Sequence, residues 1–379
     1  MVNIQLEIKK KKLTIDPWSL TEIKNYSILI DEFGIEPIEN IIDRIPSTNK
    51  YFRRQIIFGH TELTKILDAL EDGNSYAVMS GIKPTGPFHL GSKMTAEEII
   101  FFQKLSSKSW TSYSIADYEA YADNKQSYQE SFEIAIDNVA DILALGLDYK
   151  RAYIYRQSTQ KRVIDLALTF ARDVTYNMME AIYGDKAFGL YLSALIQVGD
   201  ILLPELSDFG GPQPVVVPIG ADQAPHIRLT RDLARKYQRR CGFILPSATY
   251  HKLIRSLTGS FKMSKREPMG IFYLNDEADV AKKKIMEAFS GGRETIKLQK
   301  ELGGEPWRCV VYELYVYHFS DDDNEVKNVY EDCTTGKKIC GDCKAHLAKL
   351  SIKFLKNHQS KKTKFIDTAR EILEESSPQ

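Results

Sequence analysis

Residues 76–92 read YAVMSGIKPTGPFHLGS. The apolar run 76–82 has the length and composition of a strand. Pro84, Gly86 and Pro87 break it, and a helical pattern follows, carrying Glu97, Glu98, Ile99, Ile100 and Phe102. A strand that passes through a Gly/Pro turn into a helix leaves backbone N–H groups unpaired at the helix N-terminus, and the helix dipole adds to their attraction for anions. His89 can donate to a phosphate at such a corner, and the bare backbone of Gly91 lets a flat ring lie against it. Neither GxxxxGK[ST] nor GxGxxG occurs in the chain, so the two commonest phosphate cradles are absent.

The same grammar runs outward from this corner. Short apolar runs at 110–116, 152–155 and 214–219 alternate with long helical patterns. One of these places Phe132, Ile136, Val139 and Leu143 at helical spacing and stops at Gly146. The alternation predicts an α/β fold, a Rossmann-type parallel sheet wound with helices, over 75–270 with a connecting helical insertion. Residues 1–74 read as an N-terminal extension, with a basic strand-like start at 4–13 and short amphipathic segments at 26–33 and 37–44 broken at Gly34 and Pro46. Beyond Pro268 the strand signal fades, and helical patterns at 312–319, 325–332 and 344–373 predict an all-helical C-terminal domain over 271–379.

A chain of 379 residues is long enough for two or three domains, and 43% hydrophobic with 27% charged residues is ordinary for a globular protein. No apolar run is read as reaching the roughly 18 to 20 residues of a spanning helix, and the start MVNIQLEIKKKKL lacks the apolar stretch of a signal peptide. No membrane partner and a cytoplasmic location are expected. The formal net charge is zero, so a nucleic acid must be held by local patches. Residues 344–364 carry seven lysines and no acid, and 222–240 carry six Lys or Arg against two Asp. Either patch alone also reads as a solvated helix face.

Two further elements complete a nucleotide site. Residues 259–268, GSFKMSKREP, read as a loop with Lys262, Lys265 and Arg266 around Met263 and Ser264; its lysines can close over a triphosphate and balance the charge that develops as pyrophosphate leaves. Gly220-Ala221-Asp222-Gln223 ends a strand, where a carboxylate can bind ribose hydroxyls. These three elements resemble the signatures of the class I aminoacyl-tRNA synthetases: His89-Leu90-Gly91-Ser92 is similar to HIGH, Lys262–Arg266 to KMSKS, and Gly220–Gln223 to the GxDQ of the tryptophanyl and tyrosyl subgroup. Ser92 stands where HIGH ends in histidine. The likeness extends over almost the whole chain and is greatest to tryptophanyl-tRNA synthetases of the archaeal and eukaryotic kind, through TIDPW at 14–18, IFGH at 57–60 and FSGGRET at 289–295.

The resemblance implies ATP-dependent activation of tryptophan and its transfer to tRNA(Trp), with Mg²⁺ assisting the triphosphate and a homodimer as the working form. It implies His89, Lys262 and Lys265 as catalytic residues. For ATP it implies Gly86, His89, Gly91, Ser92, Gly220, Asp222, Gln223, Lys262, Met263, Ser264 and Lys265. For tryptophan the candidates are Glu119, Gln197, Asp200 and Gln223, because the positions at which eukaryotic enzymes place a tyrosine and a glutamine on the indole align with Met79 and Ser114. A buried carboxylate suits an indole N–H, which only donates, but tyrosyl enzymes hold a phenol with an aspartate at a similar point. A tyrosyl enzyme, or an inactive synthetase paralogue that binds RNA, therefore remains as an alternative. Cys309, Cys333, Cys340 and Cys343, spaced C-x23-C-x6-C-x2-C, form a candidate four-thiolate site for zinc or an iron–sulfur cluster. The resemblance favours [4Fe–4S] over Zn²⁺ and places the anticodon-binding region nearby. Tyr312, Tyr315 and Tyr317 read either as base-stacking residues there or as helix core.

Overall fold

The computed structural model describes residues 26, 30, 33–46, 48–260 and 267–375. The strand-like start at 4–13, the TIDPW stretch and Lys262–Arg266 lie outside the described residues.

Seven strands form one sheet in the order β1-β2-β7-β6-β3-β4-β5. They are β1 (Glu36–Pro37), β2 (Ile57–Thr61), β3 (Tyr76–Ile82), β4 (Ser109–Ile115), β5 (Ala152–Arg156), β6 (Val215–Gly220) and β7 (Ser247–His251). Strands β7, β6, β3, β4 and β5 run parallel, while β2 is antiparallel to β7 and β1 antiparallel to β2. The four expected strands are β3 to β6, each with ends within one residue of the expectation. Their apolar runs are continuous because both faces are covered by helices.

Strands β2 and β7 carry no such expectation. Both are short and fully buried, and both mix polar residues into their five positions, IFGHT and SATYH. Gly59 in β2 is required by a close approach: a Cβ there would come 2.4 Å from Ile35 Cγ2. The sheet therefore extends across the boundary drawn at residue 75 and takes in part of the stretch read as an N-terminal extension.

The helices are α1 (Lys50–Arg53), α2 (Thr64–Glu71), α3 (Leu90–Leu105), α4 (Asp117–Asn124), α5 (Tyr128–Leu145), α6 (Lys161–Ala171), α7 (Tyr176–Tyr183), α8 (Phe188–Leu202), α9 (Ala224–Cys241), α10 (Ala278–Glu287), α11 (Ile296–Leu302), α12 (Val310–Leu314), α13 (Asp323–Thr334), α14 (Cys340–Lys362) and α15 (Ile366–Glu375). Helix α5 opens on a capping box, Ser127 with Glu130, and stops at Gly146 with φ 112°, a backbone that favours glycine. One sheet face packs Tyr76, Val78, Tyr113 and Ile115 against α3 and α5. The other packs Met79 and Val217 against Ile201 of α8 and Ile227 of α9.

The C-terminal helices lie on the first of these faces. His358 Nε2 of α14 is 2.7 Å from Asp141 Oδ1 of α5, and Lys362 Nζ lies 2.9 Å from Asp141 Oδ2 and 2.6 Å from Asp137. A single apolar cluster runs from Ile38 to Leu373 and joins all three expected regions. Tyr315 is fully buried in it, with its hydroxyl 3.0 Å from the Cys343 carbonyl, so of the two readings of that tyrosine the core one holds. One stretch, Phe188–Glu205, is long and apolar enough by composition to cross a membrane, which corrects the reading that no run reaches that length. It contains α8, and 78% of it is buried inside the protein, as a core helix would be.

Candidate active site

The carboxyl ends of β3, β6 and β7 open on a cleft of about 330 Å³ lined by Gly81, Lys83, His89, Gly91, Ser92, Tyr113, Gly220, Asp222, Gln223, His251 and Ile254, among others. Parallel strands place their ends on one edge, so residues far apart in sequence converge there. Six of the expected residues, His89, Gly91, Ser92, Gly220, Asp222 and Gln223, share this wall.

His89 is the N-cap of α3. Its Nδ1 accepts from the N–H of Gly91 at 3.0 Å and of Ser92 at 3.4 Å. An imidazole nitrogen that accepts carries no proton, so the ring proton sits on Nε2, which makes that atom the donor. The ring lies so close to the turn that a Cβ at Gly91 would come 2.9 Å from His89 Cε1. The demand for a bare backbone at Gly91 thus comes first from the histidine itself. Gly86 has φ 153°, and its carbonyl accepts from Asn138 Nδ2 at 3.1 Å, which ties the turn to α5.

Asp222 is 4% exposed and sits in the single turn that follows β6; Gln223 Nε2 donates to its Oδ2 at 3.3 Å. Glu119 of α4 is 3.3 Å from Lys83 Nζ, which also meets Asp123 at 2.6 Å. Burial alone would lower the Lys83 pKa, but the two carboxylates outweigh it and hold it above the ordinary value.

Asp200 lies on the other side of the sheet. Adjacent strand residues point to opposite faces, and while Tyr113 lines the cleft, Ser114 takes the opposite face, close enough to Asp200 to lower its pKa although its Oγ makes no hydrogen bond among the described residues. Asp200 Oδ1 accepts from Tyr155 OH at 2.7 Å and Oδ2 from Gln157 Nε2 at 2.6 Å. Burial pushes its pKa up to about 7 against the pull of these donors. Gln157 Oε1 and the hydroxyls of Ser112 and Ser114 are buried and have no partner among the described residues, which leaves acceptors beside Asp200 for a donor still to come. Sequence reading missed Tyr155 and Gln157, since neither carries a motif. Gln197 of α8 is half-buried one helical turn before Asp200.

The four cysteines Cys309, Cys333, Cys340 and Cys343 line a second, small cavity of about 20 Å³ with Gly291, Tyr312, Lys338 and Lys344. Glycines crowd the thiols: a Cβ at Gly292 would come 2.7 Å from Cys340 Sγ, and one at Gly304 2.7 Å from Cys333 Sγ. Burial, reinforced by the neighbouring thiols, pushes the pKa of Cys333 up to about 11 and that of Cys343 up to about 12. Among the described residues no three His, Cys, Asp or Glu side chains form a group that could hold a metal ion.

A Rossmann-type sheet with a histidine-capped turn and a strand-end aspartate on one cleft defines a nucleotide-binding enzyme. The chain belongs to the tRNA synthetases class I (W and Y), whose family model matches residues 71–356. It is similar to the tryptophan–tRNA ligase of Hyperthermus butylicus, 40% identical over 95% of this chain and 98% of that one, and to that of Methanocaldococcus jannaschii, 38% identical over 96% and 99%. Among solved structures, the tryptophanyl-tRNA synthetase of the hyperthermophilic archaeon Aeropyrum pernix superposes with a TM-score of 0.86 at 38% identity, covering 96% of this chain and 99% of that one.

Proposed function

We propose that this chain activates tryptophan with ATP and transfers it to tRNA(Trp). A carboxylate oxygen of tryptophan attacks the α-phosphorus, the bond to the β-phosphate oxygen breaks, and pyrophosphate leaves. A terminal ribose hydroxyl of the tRNA then attacks the acyl carbon and releases AMP. No protein nucleophile is needed, so the chain's work is positioning and charge stabilisation. The observation that carries the reading is the convergence of His89 and Asp222 on one cleft at the strand ends. His89 Nε2–H donates to a phosphate oxygen, Asp222 accepts from the ribose, and Lys262 and Lys265 neutralise the departing pyrophosphate. Mg²⁺, when bound with the triphosphate, would supply charge neutralisation at the phosphates.

The choice of tryptophan rests on the relatives' activity and on the buried acceptors at Asp200 and Gln157, which suit a side chain that only donates. Amino-acid-dependent exchange of labelled pyrophosphate into ATP tests it. Exchange with tryptophan alone is the expected result; exchange with tyrosine alone, or none from folded protein, overturns it. For a homodimer, the support is an exposed apolar set on α6, α7 and α8, namely Leu168, Tyr176, Met178, Phe188 and Leu192.

The resemblance favours a [4Fe–4S] cluster over zinc at the four cysteines. What supports a shared site is that all four thiols line one small cavity; among the described residues they do not form a group that could hold a metal ion as they stand. Cys309, Cys333, Cys340 and Cys343 would hold the cluster, which would tie α12, α13 and α14 together and take no part in the aminoacylation. Protein purified without oxygen is expected to show broad visible absorbance that Cys343→Ser removes. A colourless protein containing zinc, or no metal at all, would refute the cluster.

A further inference from the structure

We infer that His251 binds the ribose of ATP and that Glu98 holds it in place, an inference that rests on the tryptophan-activating reading. Neither residue belongs to a signature motif. His251 ends β7, lines the nucleotide cleft and is 4% exposed. Its Nδ1 lies 3.1 Å from Glu98 Oε2, and the other oxygen of Glu98 accepts from Thr249 Oγ1. Glu98 is fully buried on α3, the helix whose N-terminus His89 caps. A carboxylate accepts, so Nδ1 donates, and in the ring that carries one proton Nε2 is left as an acceptor.

The direction of that acceptor follows from Gly220. A Cβ built there would lie 3.5 Å from His251 Nε2 and 2.7 Å from Asp222 Oδ1. Two acceptors, one from β7 and one from the turn after β6, therefore flank the same point of the cleft wall. A ribose presents two adjacent hydroxyl donors and matches them, whereas a phosphate offers acceptors and would also meet the Glu98 charge behind the ring. The pairing brings an imidazole into the cleft that Ser92 also lines, the position at which the first signature lacks its histidine. Burying a carboxylate costs stability unless its partners are satisfied, and here both oxygens are spent on orienting β7.

The test is pyrophosphate exchange with ATP, 2′-deoxy-ATP and 3′-deoxy-ATP. In wild type, loss of one of the two hydroxyls is expected to lower kcat/KM by about tenfold, the cost of leaving one buried acceptor unpaired. In His251→Ala that penalty should shrink to about twofold or less, with KM for tryptophan unchanged as proof that the fold survives. Glu98→Gln, which can still accept from Nδ1, should keep most of the discrimination, and Glu98→Ala should lose it. If alanine at 251 unfolds the sheet, calorimetric binding of the three nucleotides to His251→Phe, a ring with no acceptor, gives the same comparison. Penalties that persist in the His251 variant, or are absent from wild type, overturn the assignment. Absence of any tryptophan-dependent exchange in wild type would instead sink the functional reading beneath it.

Discussion

Asp200→Ala is expected to lower kcat/KM for tryptophan in pyrophosphate exchange by about 100-fold while leaving KM for ATP within about twofold. The substitution strands the Tyr155 hydroxyl and the Gln157 amide, both buried and both donating to Asp200. Each lost partner of a buried donor costs roughly 1 to 3 kcal/mol, and Gln157 would be free to turn its unpaired oxygen away. The nucleotide cleft lies across the sheet and keeps its residues, so the effect should fall on one substrate. An equal loss for ATP and tryptophan would mean that Asp200 supports the fold alone.

The same carboxyl sets a pH dependence. Burial raises its pKa from 3.8 to about 7, so the protonated form dominates below about 7 in the folded protein. The ionised form is the stronger acceptor, and KM for tryptophan should therefore rise as pH falls through 7. Asp200→Asn should flatten that profile. For stability the sign is that of a raised carboxylate: folding takes up a proton between 3.8 and about 7, and the ionised group costs stability above that range. Measured against wild type, the Asn variant should accordingly lose less stability at alkaline than at mildly acidic pH.

Gly91→Ala is expected to reduce kcat by about 100-fold with the fold retained. The new methyl would lie 2.9 Å from His89 Cε1 and 3.1 Å from Nδ1, distances that force the ring to move. Displacement removes the acceptor for two N–H groups at the start of α3, worth about 1 kcal/mol as a cap. It also shifts the Nε2 donor, and a misplacement of about 1 Å can cost about 100-fold. His89→Ala should be about as damaging, and the double variant no worse than His89→Ala alone, because both changes remove the same contact. Additive losses would show that Gly91 serves the nucleotide separately from the histidine.

Much of the fold was legible because its signals are local. The strands β3 to β6 are runs of apolar residues buried on both sides, and α5 announces itself by period, capping box and terminal glycine. The strands β2 and β7 escaped because five residues with polar members have no period to read. Their burial comes from each other and from the helices above them, over separations of nearly two hundred residues. The tyrosines at 312–317 show the converse, since helical spacing alone could not say whether an aromatic faces solvent or core.

The candidate site divides in the same way. Residue order alone specified the strand–turn–helix that carries His89, the strand-end aspartate and the cysteine spacing, because each is a short segment whose chemistry lies in its own backbone and neighbours. Folding alone decided that Glu98 meets His251 across 153 positions, that Asp200 is bracketed by Tyr155 and Gln157, and that Glu119 is shared with Lys83. Those pairings depend on strand order and on which face each residue takes, and a sheet sets both through contacts between distant segments that leave no trace in local spacing.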